Sequence, residues 1–178
     1  MTHYRCLVVL PLEYGWSVDV AVGELLAPYD ENMTVEAYKQ YVDQGEIELM
    51  AKHYQLDPGD VDQLAIQMKD WSGLPGGVDE TGLYRFSTYN PKSKWDYWSI
   101  YDETTELTTT GKRVFLLSEL LPAVDTYAIV GPDGLWNSRG RMGWWAMSFD
   151  DDDQWPERRM ELIGVYADHE AVFVDLHI

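Results

Sequence analysis

The sequence predicts an α+β fold, a single domain spanning 1–178 in which an antiparallel or mixed sheet packs on a few helices. Three observations carry this. Apolar β-branched runs stand at both ends of the chain, "CLVVL" near the start and "AVFV" near the end. Segments of helical period lie between them, and aromatic segments of strand character fill the second half. A chain of 178 residues suits one core, and 46% hydrophobic residues with 8 Trp and 12 Tyr exclude a disordered acidic tail.

The first predicted strand covers residues 4–10, where alternation in "HYRCLVVL" gives way to a continuous apolar run, the pattern of a strand buried on both faces. Residues 171–177 have the same character, which makes the two terminal strands natural neighbours. Cys6 lies in the first run as a small buried thiol, and a single cysteine excludes an intramolecular disulfide.

Val35, Tyr38, Tyr41, Val42, Leu49, Met50 and Tyr54 recur near helical spacing and predict a helix over 34–54, with Gly45 as a break or kink. Val61, Leu64, Ala65 and Met68 form the apolar stripe of a second helix over 60–71. The loop "SGLPGGVDETG" ends it. "LYRFSTY" alternates as a strand over 83–89, and "TYAIVGPDGLWN" reads as a hairpin with a strand over 126–130 and its turn at Gly131–Gly134. A third helix is predicted over 154–165, because the aspartates before it favour the N-terminal dipole and Pro156 suits a first turn. Those aspartates read as a cap and solvated loop.

With 31 acids against 13 Lys plus Arg, the net charge is −18. That balance opposes docking on nucleic acid or anionic membrane and favours either solubility or a basic protein surface as partner. The start of the chain lacks a basic, long-apolar leader pattern, and no 18 apolar residues run together, so the expected location is cytoplasmic.

Phosphate-loop, nucleophile-elbow, H-E-x-x-H and paired Cys-x-x-Cys patterns are missing, which points away from an enzyme and implies no cofactor. Two aromatic segments nevertheless hold four of the 13 basic residues: "YNPKSKWDYW" with Lys92 and Lys94, and "NSRGRMGWW" with Arg139 and Arg141. Their structural reading is a strand–turn–strand corner in which Trp95, Tyr97 or Trp98 fill the core. Their functional reading is an anion pocket built from Asn90, Lys92, Lys94, Trp95, Asp96, Arg139 and Arg141, with cations meeting negative charge and Trp supplying a stacking face. The two segments are expected to meet, with Asp96 and Asp79 or a bound anion satisfying the lysines. His3, Asp175 and His177 would converge if the terminal strands pair, as a weak candidate for a metal or for proton transfer. His53 and His169 have no partner at metal-ligand spacing.

"LLAPYDENMTVEAYKQYV", "GGVDETGLYRFSTYNPKSKWDYW", "RGRMGWWAMS" and the terminal "VFVDLHI" resemble a protein family encoded by tailed bacteriophages and prophages, of actinophage type. The resemblance implies a phage product in the bacterial host cytoplasm, outside the structural virion proteins, and supplies context instead of a reaction. Family members continue the Trp-Asp-aromatic segment into Gly-Gly-Arg-Trp, whereas "WSIYDETTELTTTGKR" follows here, without that glycine pair and arginine. The leading expectation is an accessory protein that binds a host protein through its acidic surface, as in host takeover, counter-defence or nucleic-acid mimicry. The alternatives are a binder or hydrolase of an anionic small molecule such as a nucleotide, and a phage structural or assembly factor.

Overall fold

The computed structural model describes residues 2–15, 17–142 and 148–178. The fold is α+β with sheets of mixed sense. Its residues group into two compact units, Met1–Met33 with Asn90–Ile178, and Thr34–Tyr89.

The larger unit holds β1 (His3–Val9), α1 (Val18–Leu26), β5 (Tyr97–Ile100), β6 (Phe115–Leu116), β7 (Ala128–Val130), β8 (Trp136–Ser138), β9 (Arg141–Met142), β10 (Ser148–Phe149), α4 (Trp155–Val165) and β11 (Glu170–His177). The two terminal strands pair antiparallel in continuous register from His3↔His177 to Val9↔Ala171. On the far side of β1 lies β7, parallel to it, followed by antiparallel β8. The outer edge of β11 takes β5 and β6, giving the order β5-β11-β1-β7-β8.

Burial on both faces explains the continuous apolar runs. Tyr4, Cys6, Val8 and Leu10 join Ala21, Val22 and Leu26 of α1 in one core cluster. Leu7, Val9 and Phe173 join Trp155 at the start of α4, with Phe115 and Leu117, in the other. Each fully buried Val, Leu or Phe side chain contributes about 1.5–3 kcal/mol. The Cys6 thiol is wholly buried, and that burial pushes its pKa well above the ordinary thiol value.

Helix α1 carries a signal that sequence reading passed over. Val18, Ala21, Val22, Leu25 and Leu26 follow the i, i+3, i+4, i+7, i+8 pattern, and the Ser17 side chain caps the helix by accepting from the Val20 N–H. The third predicted helix is found as α4, with Pro156 in its first turn. Asp152 holds its start by accepting from the Gln154 N–H at 2.9 Å and from Arg158 at 2.6 Å. The predicted hairpin is β7–β8, closed by Gly131 N–H to Leu135 O and by Gly134 N–H to Gly131 O, with Gly134 at φ 75°.

The smaller unit holds β2 (Thr34–Tyr41), α2 (Gln44–Tyr54), α3 (Val61–Ser72), β3 (Gly76–Asp79) and β4 (Gly82–Tyr89), with sheet order β2-β4-β3. The helix expected over 34–54 is corrected: its first half is β2, and only Gln44–Tyr54 is helical. Thr34, Val35, Tyr38 and Tyr41 are β-branched or aromatic residues that fit a pleated surface. Asp43 then starts α2 by accepting from the Glu46 N–H, so Gly45 lies in the first turn instead of kinking a long helix. The expected loop over 72–82 is also corrected in part. Gly76–Asp79 pairs with Gly82–Leu83–Tyr84–Arg85, because a Cβ at Gly76 would overlap the Tyr84 carbonyl and glycine permits that approach. Val42, Met50, Ala51, Leu64, Met68 and Leu83 form this unit's core.

Candidate functional site

The residues around "YNPKSKWDYW" serve the backbone first. Asn90 is buried, and its amide donates to the carbonyls of Pro28 and Asp30 at 2.9 Å each while its Oδ1 accepts from the Lys92 N–H. The Lys94 N–H donates to Tyr29 O, the Glu31 N–H to Trp95 O, and the buried Trp95 indole to Leu26 O. The segment is thereby zipped to "LLAPYDEN". Tyr29 extends the zipper by donating to Gly134 O at 2.7 Å and accepting from the Trp136 N–H at 3.0 Å, which pins the β7–β8 turn. These contacts engage both side-chain polar atoms of Asn90 and the one donor of the Trp95 ring.

Trp98 is half-buried against the same core, whereas Tyr97 is 64% exposed and fills none of it. Lys92 is exposed and Lys94 half-buried. The acids expected beside the lysines are committed elsewhere: Asp79 to Lys39 at 2.6 Å, and Asp96 to His177 at 2.5 Å.

The two aromatic-basic segments do come together within the larger unit. The Tyr4 hydroxyl donates to Lys94 O, the Tyr4 ring packs edge-on against Tyr127 at 5.2 Å, and Tyr127 O accepts from the Arg139 N–H. Trp95, Trp136 and Met142 share one core cluster. Arg139 pairs with Asp125 at 2.5 Å, and the Arg141 guanidinium lies over the Phe149 ring at 5.6 Å. Trp144 and Trp145, the aromatic end of the second segment, lie outside the described residues.

Pairing of β1 with β11 brings His3, Asp175 and His177 together. His3 Nδ1 lies 2.9 Å from Asp175, and the two imidazoles meet edge-on at 4.9 Å. Each ring is engaged at Nδ1 by a different carboxylate, and no group of three or more ligating side chains among the described residues has metal-binding geometry. Two hydrogen-bonded Asp–His pairs result, His177 nearly buried and His3 largely exposed.

Sequence reading missed an acidic cleft of about 480 Å³. Pro11, Glu13, Tyr14 and Gly15, which follow β1, form one wall; Ala21, Glu24, Leu25 and Pro28 form a second; Pro132, Asp133 and Gly134 of the β7–β8 turn form the third. The cleft thus opens at the carboxyl ends of a parallel strand pair, where diverging loops leave a crevice. Among the described residues three carboxylates and no Lys or Arg line it. The Tyr14 hydroxyl donates to Glu170 at 2.6 Å, and that bond, with partial burial and the carboxylate charge, pushes its pKa up to about 12. Tyr14 is therefore a neutral, fixed donor at neutral pH. The signal that would have found the cleft is the proline- and acid-bearing loop "PLEYG" directly after a buried strand.

Among the described residues no helix is long and apolar enough to cross a membrane. No protein-family model matches the chain, nor does any curated protein or solved structure.

Proposed function

We propose that this protein is a non-enzymatic acidic accessory protein that takes a basic segment of a partner protein into the cleft between the β1–α1 loop and the β7–β8 turn. The observation that carries the reading is the lining: Glu13, Glu24 and Asp133 around about 480 Å³, with no cation among the described lining residues. Lys or Arg side chains entering there meet three carboxylates, the apolar faces of Leu25 and Pro28, and the Tyr14 ring. The net charge of −18 adds long-range attraction for such a partner and repels nucleic acid. The resemblance to tailed-phage proteins supports reading the partner as a protein of the bacterial host cytoplasm, as in host takeover or counter-defence.

The test is binding of a fluorescent Lys/Arg-rich peptide, with a Glu/Asp-rich peptide as comparison. Exposed charge pairs contribute about 0.2–1 kcal/mol each, so reversing two of them in Glu24→Lys with Asp133→Lys should weaken the basic peptide by about tenfold or more. Raising the salt should weaken it as well. Equal binding by the reversed variant, or equal binding of the acidic peptide, would refute the reading.

A further inference from the structure

We infer that His3 and His177 form a binding site for a divalent late transition-metal ion such as zinc, at the opposite end of β1 from the acidic cleft and independent of the reading given for it.

The strand register places the two imidazoles. Thr2 and Ile178 exchange both backbone hydrogen bonds, N–H to O at 3.1 Å in each direction. The next pair, His3↔His177, is therefore a non-hydrogen-bonded position of the antiparallel ladder, where facing side chains approach most closely. Their ring centres lie 4.9 Å apart, with the planes at 70°. Two imidazoles held on one ion by metal–nitrogen bonds of about 2.0–2.1 Å, at a near-tetrahedral angle, have ring centres about 5 Å apart. The observed separation already matches that of a chelating pair.

Two carboxylates prepare the rings. His3 Nδ1 lies 2.9 Å from Asp175 Oδ2, and His177 Nδ1 lies 2.5 Å from Asp96 Oδ1. An ionised carboxylate only accepts, so each Nδ1 carries the proton and the lone pair of each neutral ring falls on Nε2. A ligating histidine ordinarily donates its other nitrogen in this way, and the carboxylate fixes the tautomer and raises the basicity of the ligating nitrogen. Asp175 thus acts behind His3 instead of on the ion, and Asp96 does the same for His177.

The charge around the pair favours a dication. Arg5 stands opposite Asp175 in the register, yet its guanidinium lies 5.6 Å from the Tyr101 ring centre and 5.8 Å from that of Phe173, and donates to Asp125 O. Among the described residues Asp175 and Asp96 form ion pairs with these histidines alone. The His3 side chain is 60% exposed, which opens the pair to solvent. Two protein ligands leave the remaining positions on the ion to water, unlike the closed four-ligand sites with which zinc holds a fold together. Imidazole selects zinc, copper or nickel over magnesium and calcium, which prefer oxygen.

The experiment is a calorimetric titration of the intact chain with zinc chloride in an excess of magnesium, which occupies scattered carboxylates without competing for imidazole. Saturable binding of one zinc ion per chain is expected, weakened tenfold or more in His3→Asn and in His177→Asn and unchanged in His53→Asn, whose parent ring lies on α2 of the smaller unit. Asparagine offers the carboxylate a donor near the Nδ1 position and lacks Nε2, so the comparison separates ligation from loss of the Asp–His bond. If His177→Asn does not fold, His3→Asn decides, because that side chain is exposed. Absence of saturable zinc binding, undiminished binding in His3→Asn, or undiminished binding in a folded His177→Asn would overturn the inference. Failure of the basic-peptide test leaves this outcome unaffected, because the residues are different.

Discussion

Asp96 clamps His177 twice: its carboxylate lies 2.5 Å from His177 Nδ1, and its backbone N–H donates to the His177 carbonyl at 2.9 Å. The entry to β5 is thereby tied to the last residue of β11. Removing the carboxylate in Asp96→Ala leaves a nearly buried imidazole nitrogen without its partner, and should cost about 1–2 kcal/mol in urea denaturation. Asp96→Asn, which keeps a hydrogen-bonding group there, should cost less. His3→Ala breaks the companion pair at an exposed position and should stay within about 0.5 kcal/mol of the parent.

Trp155 is fully buried, and its indole N–H donates to Thr126 O at 2.9 Å. Trp155→Ala should destabilise the larger unit by about 3–5 kcal/mol. Trp155→Phe should cost less, retaining most of the apolar contact while leaving the Thr126 carbonyl without its donor. Tryptophan fluorescence during denaturation would misreport this variant, so far-ultraviolet circular dichroism is the appropriate signal.

At Gly76 an added methyl would overlap the Tyr84 carbonyl and lie 2.5 Å from Met68 Cγ. Gly76→Ala should therefore separate β3 from β4 or displace α3, costing about 1–3 kcal/mol. Amide exchange should quicken in α3, β3 and β4, with β1 and β11 unchanged. Uniform exchange across the whole chain would contradict that localisation.

Acid should act on the smaller unit through Asp79. Its carboxyl is drawn from the ordinary 3.8 down to about 2, first by the Lys39 hydrogen bond and then by the Thr81 N–H. Because the folded value is depressed, the contribution is present above about 3.8 and is lost as pH falls through about 2. In Lys39→Met, carboxyl titration by nuclear magnetic resonance should show Asp79 moved back towards 3.8, and the stability loss over that acid window should be shallower.

Alkali should act through Lys94 in the opposite sense. The folded value lies below the ordinary 10.5, so between the two the unfolded chain holds the extra proton and stability rises with pH. Lys94→Met should abolish that rise and raise the urea midpoint at neutral pH, since it removes a partly desolvated charge beside Arg141. A fall in midpoint at neutral pH would mean that Lys94 has a stabilising partner.

Local pattern made some elements legible. Strand β1 shows because two-sided burial demands an unbroken apolar run, and α3 shows because Leu64, Ala65 and Met68 lie on one helical face. The hairpin shows because Gly134 needs positive φ. The strand at Thr34–Tyr41 was hidden by coincidence: Tyr38, Tyr41 and Val42 satisfy a helical spacing as well as a strand's preference for aromatic and β-branched residues, and pairing with β4 resolves the ambiguity. Composition likewise established the acidity, and the residue types marked two basic-aromatic segments. Which carboxylate meets which basic side chain was settled by tertiary structure, because Asp96–His177 and Arg139–Asp125 join residues 81 and 14 positions apart. The cleft is also a tertiary product: Glu13, Glu24 and Asp133 belong to three chain segments, and they face one space only because β7 lies parallel to β1 and brings its turn beside the loop that leads into α1.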